Sequence, residues 1–213
     1  MPLTTAWTEI TTVDELVELI GEPNARARDK GRPALLELDR DWLAASPFCV
    51  VATSSATGEC DASPKGDPAG QLVHVIDERT IAIAERPGNK RADGYHNILE
   101  NPHVGLNFFI PGRGDTLRIN GRARLVVDAP FFDEMVVKGH RPLLALVVDI
   151  DDVFFHCAKA FLRSGLWKPE TWAPDARVPR RAVIAAAIEP NEMTVEQLDD
   201  YYKPENYTKG LYA

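Results

Sequence analysis

The spacing of apolar residues changes from a helical to an alternating pattern at Phe48. Before this point, "TTVDELVELIG" repeats apolar residues at helical spacing, with Thr12 and Glu15 placed as a capping box and Gly21 as a stop. A second short helix is predicted at residues 38–45. The pattern therefore predicts an N-terminal helical segment, residues 1–45, packing on a β-rich body.

After Phe48 the alternating stretches come in pairs that are joined by turn residues. This succession of antiparallel hairpins and short helices predicts an α+β chain, mainly β, with a small antiparallel split β-barrel and short flanking helices. It disfavours a doubly wound parallel sheet. The predicted strands are "FCVVATSS", "GECDASPKG", "QLVHVI", "TIAIAE", "VGLNFFI", "TLRINGRARLVV" and "LLALVVDI".

Three further helices are predicted within and after the strands. The first runs from an N-cap at Asn89 to Pro102, with Ala92, Tyr95 and Leu99 facing inward. The others cover residues 128–137 and 151–167, the latter capped by Asp151 or Asp152. With the barrel at residues 46–170 and a Pro-rich, partly helical tail at 171–213, we expect a single domain overall.

The charge of the chain excludes some partners. The 213 residues carry 24 Lys and Arg against 32 Asp and Glu, a formal charge of −8. An acidic surface argues against broad binding to nucleic acid or anionic membranes. The three cysteines lack CxxC spacing, and neither an export signal nor a membrane-spanning apolar run is visible. These features predict a cytoplasmic location.

One cationic cluster opposes this acidic average. In "RPGNKRADGYHNILENP", Arg86, Lys90 and Arg91 crowd a turn before the predicted helix. Cations at a helix start oppose the helix dipole at a cost of about 0.3–1 kcal/mol each. An anion held there by these cations and by free backbone N–H groups would explain the arrangement. The alternative is a solvated loop whose cations pair with Asp93 or Glu85.

Two further segments are candidates for binding. In "HCAKAFLRSGLW", four side chains fall at i, i+3, i+7 and i+11 on the predicted helix, namely His156, Lys159, Arg163 and Trp167. This face suits a planar anionic aromatic ligand, or it is an exposed polar face with a half-buried Trp. In "CDASPKGDPAG", the strand end carries Ser63, Lys65 and Gly66, where a ligand can approach the backbone.

Several familiar motifs are absent from the sequence. It contains no GxGxxG after a strand and no GxxxxGK[ST], so a dinucleotide fold or P-loop is not indicated. The adjacent His156 and Cys157 diverge on the predicted helix, and no metal-ligand spacing is found. No catalytic residue can be assigned.

The order of these motifs resembles the pyridoxamine 5′-phosphate oxidase-like FMN-binding split-barrel family and, more narrowly, a bacterial subgroup of it. The resemblance covers roughly residues 40–170. The motifs that carry it are "PFCVVATSS", "SPKGDPAG", "ERPGNKR" with the helix ending in "NP", "LRINGRARLV" and "HCAKAFLRSGLW".

The resemblance implies a homodimer with one FMN in each of two clefts between subunits. Asn89, Lys90 and Arg91 match the family's phosphate-binding triplet, beside Arg86. Ser63, Lys65 and Gly66 match the segment that lies along the flavin. In the subgroup, the positions of Lys159, Arg163 and Trp167 approach the cofactor from the partner subunit.

Two departures from the family pattern bear on function. The subgroup more often has Asn at the position of Lys90, and Gly94-Tyr95-His96 makes the following helix less regular. The C-terminal Arg-x-His motif of a true pyridoxamine phosphate oxidase is not recognisable, so oxidation of vitamin B6 is not supported.

We expect an FMN-dependent oxidoreductase acting on a small molecule, possible donors being NADH and NADPH. The alternatives are a non-catalytic flavin store or sensor, or the same scaffold holding deazaflavin or haem.

Overall fold

The computed structural model describes residues 7–172 and 178–212. Residues 7–31 form a unit of their own with two helices, α1 (Val13–Ile20) and α2 (Ala25–Arg28). The predicted capping box at α1 is confirmed, because Thr12 accepts from the Glu15 amide and Glu15 accepts from the Thr12 amide. Gly21 ends α1 with φ +80°.

The second unit begins at Arg32 and is built on one seven-stranded antiparallel sheet. The order across this sheet is β2-β1-β5-β6-β7-β4-β3, and each neighbouring pair is antiparallel. Sheet and helices together confirm the α+β class; closure of the sheet into a barrel and dimerisation stay predictions. The strands are β1 (Phe48–Ser54), β2 (Cys60–Gly66), β3 (His74–Val75), β4 (Thr80–Ala84), β5 (His103–Phe109), β6 (Thr116–Val126) and β7 (Ala145–His156).

Short helices precede, interrupt and follow the strands. Among the described residues, 3-10 segments cover Pro130–Met135, Pro169–Thr171 and Thr208–Gly210. The predicted helix at residues 128–137 is therefore a shorter 3-10 segment. The α-helices of this unit are α3 (Glu37–Ala45), α4 (Asp93–Glu100), α5 (Lys159–Ser164), α6 (Arg181–Ile188), α7 (Val195–Tyr201) and α8 (Pro204–Tyr207).

The larger core cluster lies against one face of the sheet, and a smaller cluster around Phe132 lies against the other face of β4 and β7. Along β5, the side chains of Val104, Leu106 and Phe108 are buried at every second position, as a half-buried strand requires. The inward residues of β1 and β6 continue this surface, among them Cys49 and Leu117. Burial raises the pKa of the Cys49 thiol to about 12, which keeps it protonated at neutral pH.

A buried ion pair anchors the start of α3. Asp39 is fully buried and receives two hydrogen bonds from the Arg32 guanidinium, at 2.6 and 2.9 Å. The same carboxylate accepts from the Leu36 amide at 2.8 Å and so caps the helix. Because the Arg32 backbone also pairs with Val153 of β7, this contact ties α3 to the sheet.

The predicted helix at residues 151–167 is wrong. Strand β7 continues to His156 because β6 is long and pairs with it along its whole length, from Thr116 opposite His156 to Val126 opposite Ala145. Asp151 and Asp152 lie within this strand beside a register shift and cap no helix. Only residues Lys159–Ser164 are helical, so the predicted stripe does not lie on one helix.

The boundaries of α4 also differ from the prediction. The helix begins at Asp93, with Ala92 rather than Asn89 at the N-cap, and ends before Asn101. Ile98 is the buried residue of α4, whereas Leu99 is 74% exposed. The late start moves the cationic positions out of the first helical turn and into the preceding loop.

The two ends of the chain are described only in part. The N-terminal stretch 1–6 and, within the predicted tail, residues 173–177 and 213 lie outside the described residues. In the described part of the tail, α6 and α7 pack through Ala182, Ala185 and Leu198. Among the described residues, no helix has the length and apolar character needed to cross a membrane.

Candidate functional site

A cleft of the second unit lies where β2, the end of β4 and the start of α4 meet. Its volume is about 730 Å³, within the usual range for small-molecule sites. The β4–α4 loop forms one side, and strand β2 forms another. The chain end at Leu211 and Tyr212 also lines the cleft.

The β4–α4 loop has an unusual backbone that turns it into the helix. Lys90 and Ala92 both adopt left-handed conformations, with φ of +62° and +58°. Each such residue costs about 1–3 kcal/mol, so the surrounding structure holds the loop in this shape. The Asn89 side chain supports it by accepting from the Arg91 amide at 3.0 Å.

Lys90 and Arg91 of this loop differ in their ion pairing. Arg91 donates to Asp93, as the solvated-loop alternative predicted for one cation. Within the described part of the chain Lys90 makes no ion pair, and its side chain is exposed at the cleft. The first backbone N–H groups of α4 have no acceptor within the helix, which makes this end of the cleft suited to an anion.

A hydrogen-bonded trio forms the floor of the cleft. The Lys65 ammonium lies 2.5 Å from the Glu85 carboxylate and 3.0 Å from the Tyr95 hydroxyl. Tyr95 in turn donates to Glu85. Burial, and then the hydrogen bond to Glu85, raise the pKa of the Tyr95 hydroxyl far above its ordinary value. The trio therefore fixes the Lys65 ammonium at the base of the cleft.

A buried ion pair, Asp67 with Arg86, also lines the cleft. Arg86 donates to Asp67 at 2.8 Å and to the Met135 carbonyl at 3.0 Å. The side chains of this pair are only 13% and 3% exposed, respectively. Removing one member would leave a buried charge without its partner, at a cost of about 3–5 kcal/mol. Arg86 therefore acts chiefly by holding Asp67 and the Met135 backbone in position beside the cleft.

Close packing joins α4 to the strands beside the cleft. Ser63 on β2 donates to Asp61 at 2.6 Å. A Cβ atom at Gly94 would lie 2.9 Å from this Asp61 carboxylate and 3.7 Å from the Ser63 hydroxyl. Gly94, Tyr95 and His96 lie within the continuous helix α4, and glycine at position 94 lets the start of α4 approach β2.

The cleft collects seven of the ten predicted site residues. These are Ser63, Lys65, Gly66, Arg86, Asn89, Lys90 and Arg91. Their contacts are thus defined, and their assignment to a cofactor stays a prediction.

The other three predicted residues lie outside the cleft of the same chain. Lys159 and Arg163 are exposed on α5, and Trp167 follows the end of that helix at Gly165. The Trp167 indole donates to the Arg113 carbonyl at 2.6 Å and stacks on Phe161. In a single chain this segment therefore packs by the β5–β6 turn.

Sequence reasoning did not assign four cleft residues to the site. Asp67 is a buried partner of Arg86, and Glu85, named only as an alternative partner of the loop cations, is a half-buried partner of Lys65. Tyr95 was predicted only as a core residue. Tyr212 comes from the far end of the chain, and no local pattern places it here.

The family model for pyridoxamine 5′-phosphate oxidase matches residues 35–157, more than half of the chain. The chain belongs to the pyridoxamine 5′-phosphate oxidase family. The matched region contains β1–β7, α4 and the whole loop that carries Asn89, Lys90 and Arg91. A comparison with curated proteins finds no similar sequence.

Solved structures are similar to this chain at low sequence identity. HupZ of Group A Streptococcus is 18% identical, with 57% of this chain and 93% of that chain covered and a TM-score of 0.46. A Lactobacillus delbrueckii protein, named as a candidate pyridoxamine 5′-phosphate oxidase, is 21% identical, with 59% and 98% covered and a TM-score of 0.46. General stress protein 26 of Bacillus anthracis is 12% identical, with 55% and 88% covered and a TM-score of 0.42.

Proposed function

We propose that this family member is an FMN-dependent oxidoreductase that transfers hydride or electrons to or from a small molecule. The observation that carries the proposal is the convergence of seven predicted residues on one cleft. At its mouth, Lys90 and Arg91 lie next to the open N–H end of α4. Family membership supports a flavin, and the cationic loop supports one that bears a phosphate.

The residues present fit a flavin phosphate. Lys90 is exposed, and Arg91 needs only to exchange the Asp93 carboxylate for a phosphate oxygen. Ser63, Lys65 and Gly66 would lie along the flavin and its ribityl chain. When bound, FMN supplies the hydride or electron transfer itself. The chain's own part is to bind it, to orient it and to keep the Lys65 ammonium fixed beneath it.

The second part of the proposal is a homodimer in which each cleft is completed by Lys159, Arg163 and Trp167 of the partner subunit. Lys159 and Arg163 lie four positions apart on α5, so their exposed side chains share a face. A cation near the flavin N1–C2 edge would stabilise the reduced anionic flavin.

Mixed dimers test this shared cleft. One chain carries Lys90→Glu with Arg91→Glu, and the other carries Lys159→Glu with Arg163→Glu. Each variant alone should bind FMN weakly. In the mixed dimer one cleft receives both defects and the other none, so titration should show half the wild-type number of sites at wild-type affinity. If α5 served its own chain, both clefts would be damaged and the mixed dimer would bind no FMN tightly.

Turnover is tested by reduction of the bound flavin. Under anaerobic conditions, NADH or NADPH should bleach the flavin absorbance of the loaded protein faster than that of free FMN, and an added acceptor should restore it. Absence of reduction by either nicotinamide and by a panel of small reductants would favour a flavin store over an enzyme.

A further inference from the structure

The end of the chain returns to the cleft and inserts an aromatic ring. After the 3-10 segment Thr208–Gly210, Leu211 and Tyr212 both line the cleft. The Tyr212 hydroxyl donates to Asp67 at 2.9 Å, a contact between residues 145 positions apart in sequence. Tyr212 is therefore placed by a tertiary contact rather than by its neighbours in sequence.

Three basic side chains surround the Tyr212 ring. The Lys138 ammonium lies 5.1 Å from the ring centre and the Arg86 guanidinium carbon 5.8 Å from it. The His140 ring stacks at 6.5 Å between centres, with the planes 26° apart. Cations over an aromatic face are attracted by its quadrupole, so this slot favours an electron-rich ring.

The turn that presents two of these residues has a special backbone. Val137 and His140 exchange backbone hydrogen bonds of 3.2 and 2.9 Å across Lys138 and Gly139. Both central residues are left-handed, with φ of +50° and +83°. For Lys138 this conformation costs roughly 1–2 kcal/mol. The turn therefore fixes a strained backbone conformation at Lys138 and places the Lys138 and His140 side chains beside the Tyr212 ring.

Asp67 defines the polar end of the slot. One carboxylate oxygen accepts from Arg86 and the other accepts from Tyr212. With Tyr212 in place the Asp67 side chain is 3% exposed, and withdrawal of Tyr212 leaves one carboxylate oxygen without its protein donor. A ligand hydroxyl in the same place would restore that hydrogen bond.

We propose that this slot, formed by Asp67, Arg86, Lys138 and His140, is a binding subsite for a hydroxylated aromatic small molecule, and that Tyr212 is its built-in occupant. The subsite opens when Leu211 and Tyr212 withdraw. The proposal deepens the proposed function, since it names the substrate class of the cleft in which FMN would bind. A tethered side chain competes at an effective concentration of about 1 mM, so weak ligands enter only when the tyrosine is removed.

The test uses 4-methylphenol, which reproduces the tyrosine side chain, as a probe of the full-length protein. Tyr212→Ala should bind it at least about tenfold more tightly than the wild type by calorimetric or NMR titration. Tyr212→Phe keeps the ring in the slot and should bind it as weakly as the wild type. Toluene lacks the hydroxyl and should bind Tyr212→Ala at least about fivefold more weakly than 4-methylphenol.

Three outcomes would overturn the proposal: equal affinity of the wild type and Tyr212→Ala, equally tight binding by Tyr212→Phe, or equal binding of toluene. Matched thermal unfolding curves of the three proteins show that each is folded. The titration needs no flavin, so its failure is distinguishable from a failure of the FMN assignment. If the protein binds FMN but Tyr212→Ala gains no affinity for 4-methylphenol, only the subsite proposal is refuted.

Discussion

Reversal of both loop charges, Lys90→Glu with Arg91→Glu, is expected to lower the affinity for FMN by at least about a hundredfold. Each cation would contribute a charge-assisted contact of about 1.5–3 kcal/mol to a phosphate, and the carboxylates that replace them would repel it. Fluorescence titration of the cofactor-free protein with FMN measures this change.

Riboflavin is the matched ligand for this experiment because it lacks the phosphate. Its affinity should change by less than about threefold in the same variant. Arg79→Glu with Arg122→Glu reverses the same number of charges at exposed positions outside the cleft. This control variant should leave FMN affinity unchanged. Equal losses for FMN and riboflavin would show that the loop does not hold the phosphate.

The largest expected effect on stability is that of a substitution at Gly121, where β6 lies close to its partner strand β7. A Cβ atom there would lie 2.1 Å from the Asp149 carbonyl oxygen, a backbone atom that cannot move without shifting the strand. Gly121→Ala should therefore destabilise the fold by roughly 3 kcal/mol or more, at or beyond the upper end for overpacking.

Gly105 provides the matched control for that substitution. It lies on β5 opposite Asn120, and an added Cβ would approach only the Asn120 side-chain oxygen, at 3.4 Å. Gly105→Ala should cost less than about 1 kcal/mol. Urea unfolding midpoints compare the two variants, and similar midpoints would show that the register shift at Asn120 and Gly121 can absorb a side chain.

Local patterns predicted the elements whose partners are close in sequence. The hairpin of β1 and β2 follows from two alternating stretches around Thr57-Gly58, and the capping box of α1 follows from Thr12 and Glu15. The cationic loop was found because its charges oppose the acidic average. Each of these signals is contained in a few consecutive residues.

The errors come from competition between local signals and distant pairing. Asp151 and Asp152 have the composition of a helix cap, but eleven residues of β6 need a partner and extend β7 through them. Likewise, Asn89 is a good cap by composition, yet the left-handed Lys90 and Ala92 delay the helix to Asp93. Tertiary contacts outweigh cap preferences of about 1 kcal/mol.

In the candidate site, too, local signals were found in the sequence and distant contacts were not. The sequence identified the cations of the cleft but not the pairing of Lys65 with Glu85 and of Arg86 with Asp67 that positions them. It also contained no signal for Tyr212, whose partner Asp67 is 145 positions away. A site assembled from segments this far apart in sequence is defined only once the fold brings them together.

The identity of the bound cofactor tests the central claim most directly. The purified protein should be yellow, and mass spectrometry of the small molecule released on denaturation should identify FMN. The stripped protein should regain its colour with added FMN. A colourless protein that fails to bind added FMN would contradict the account, as would release of a different cofactor from this cleft.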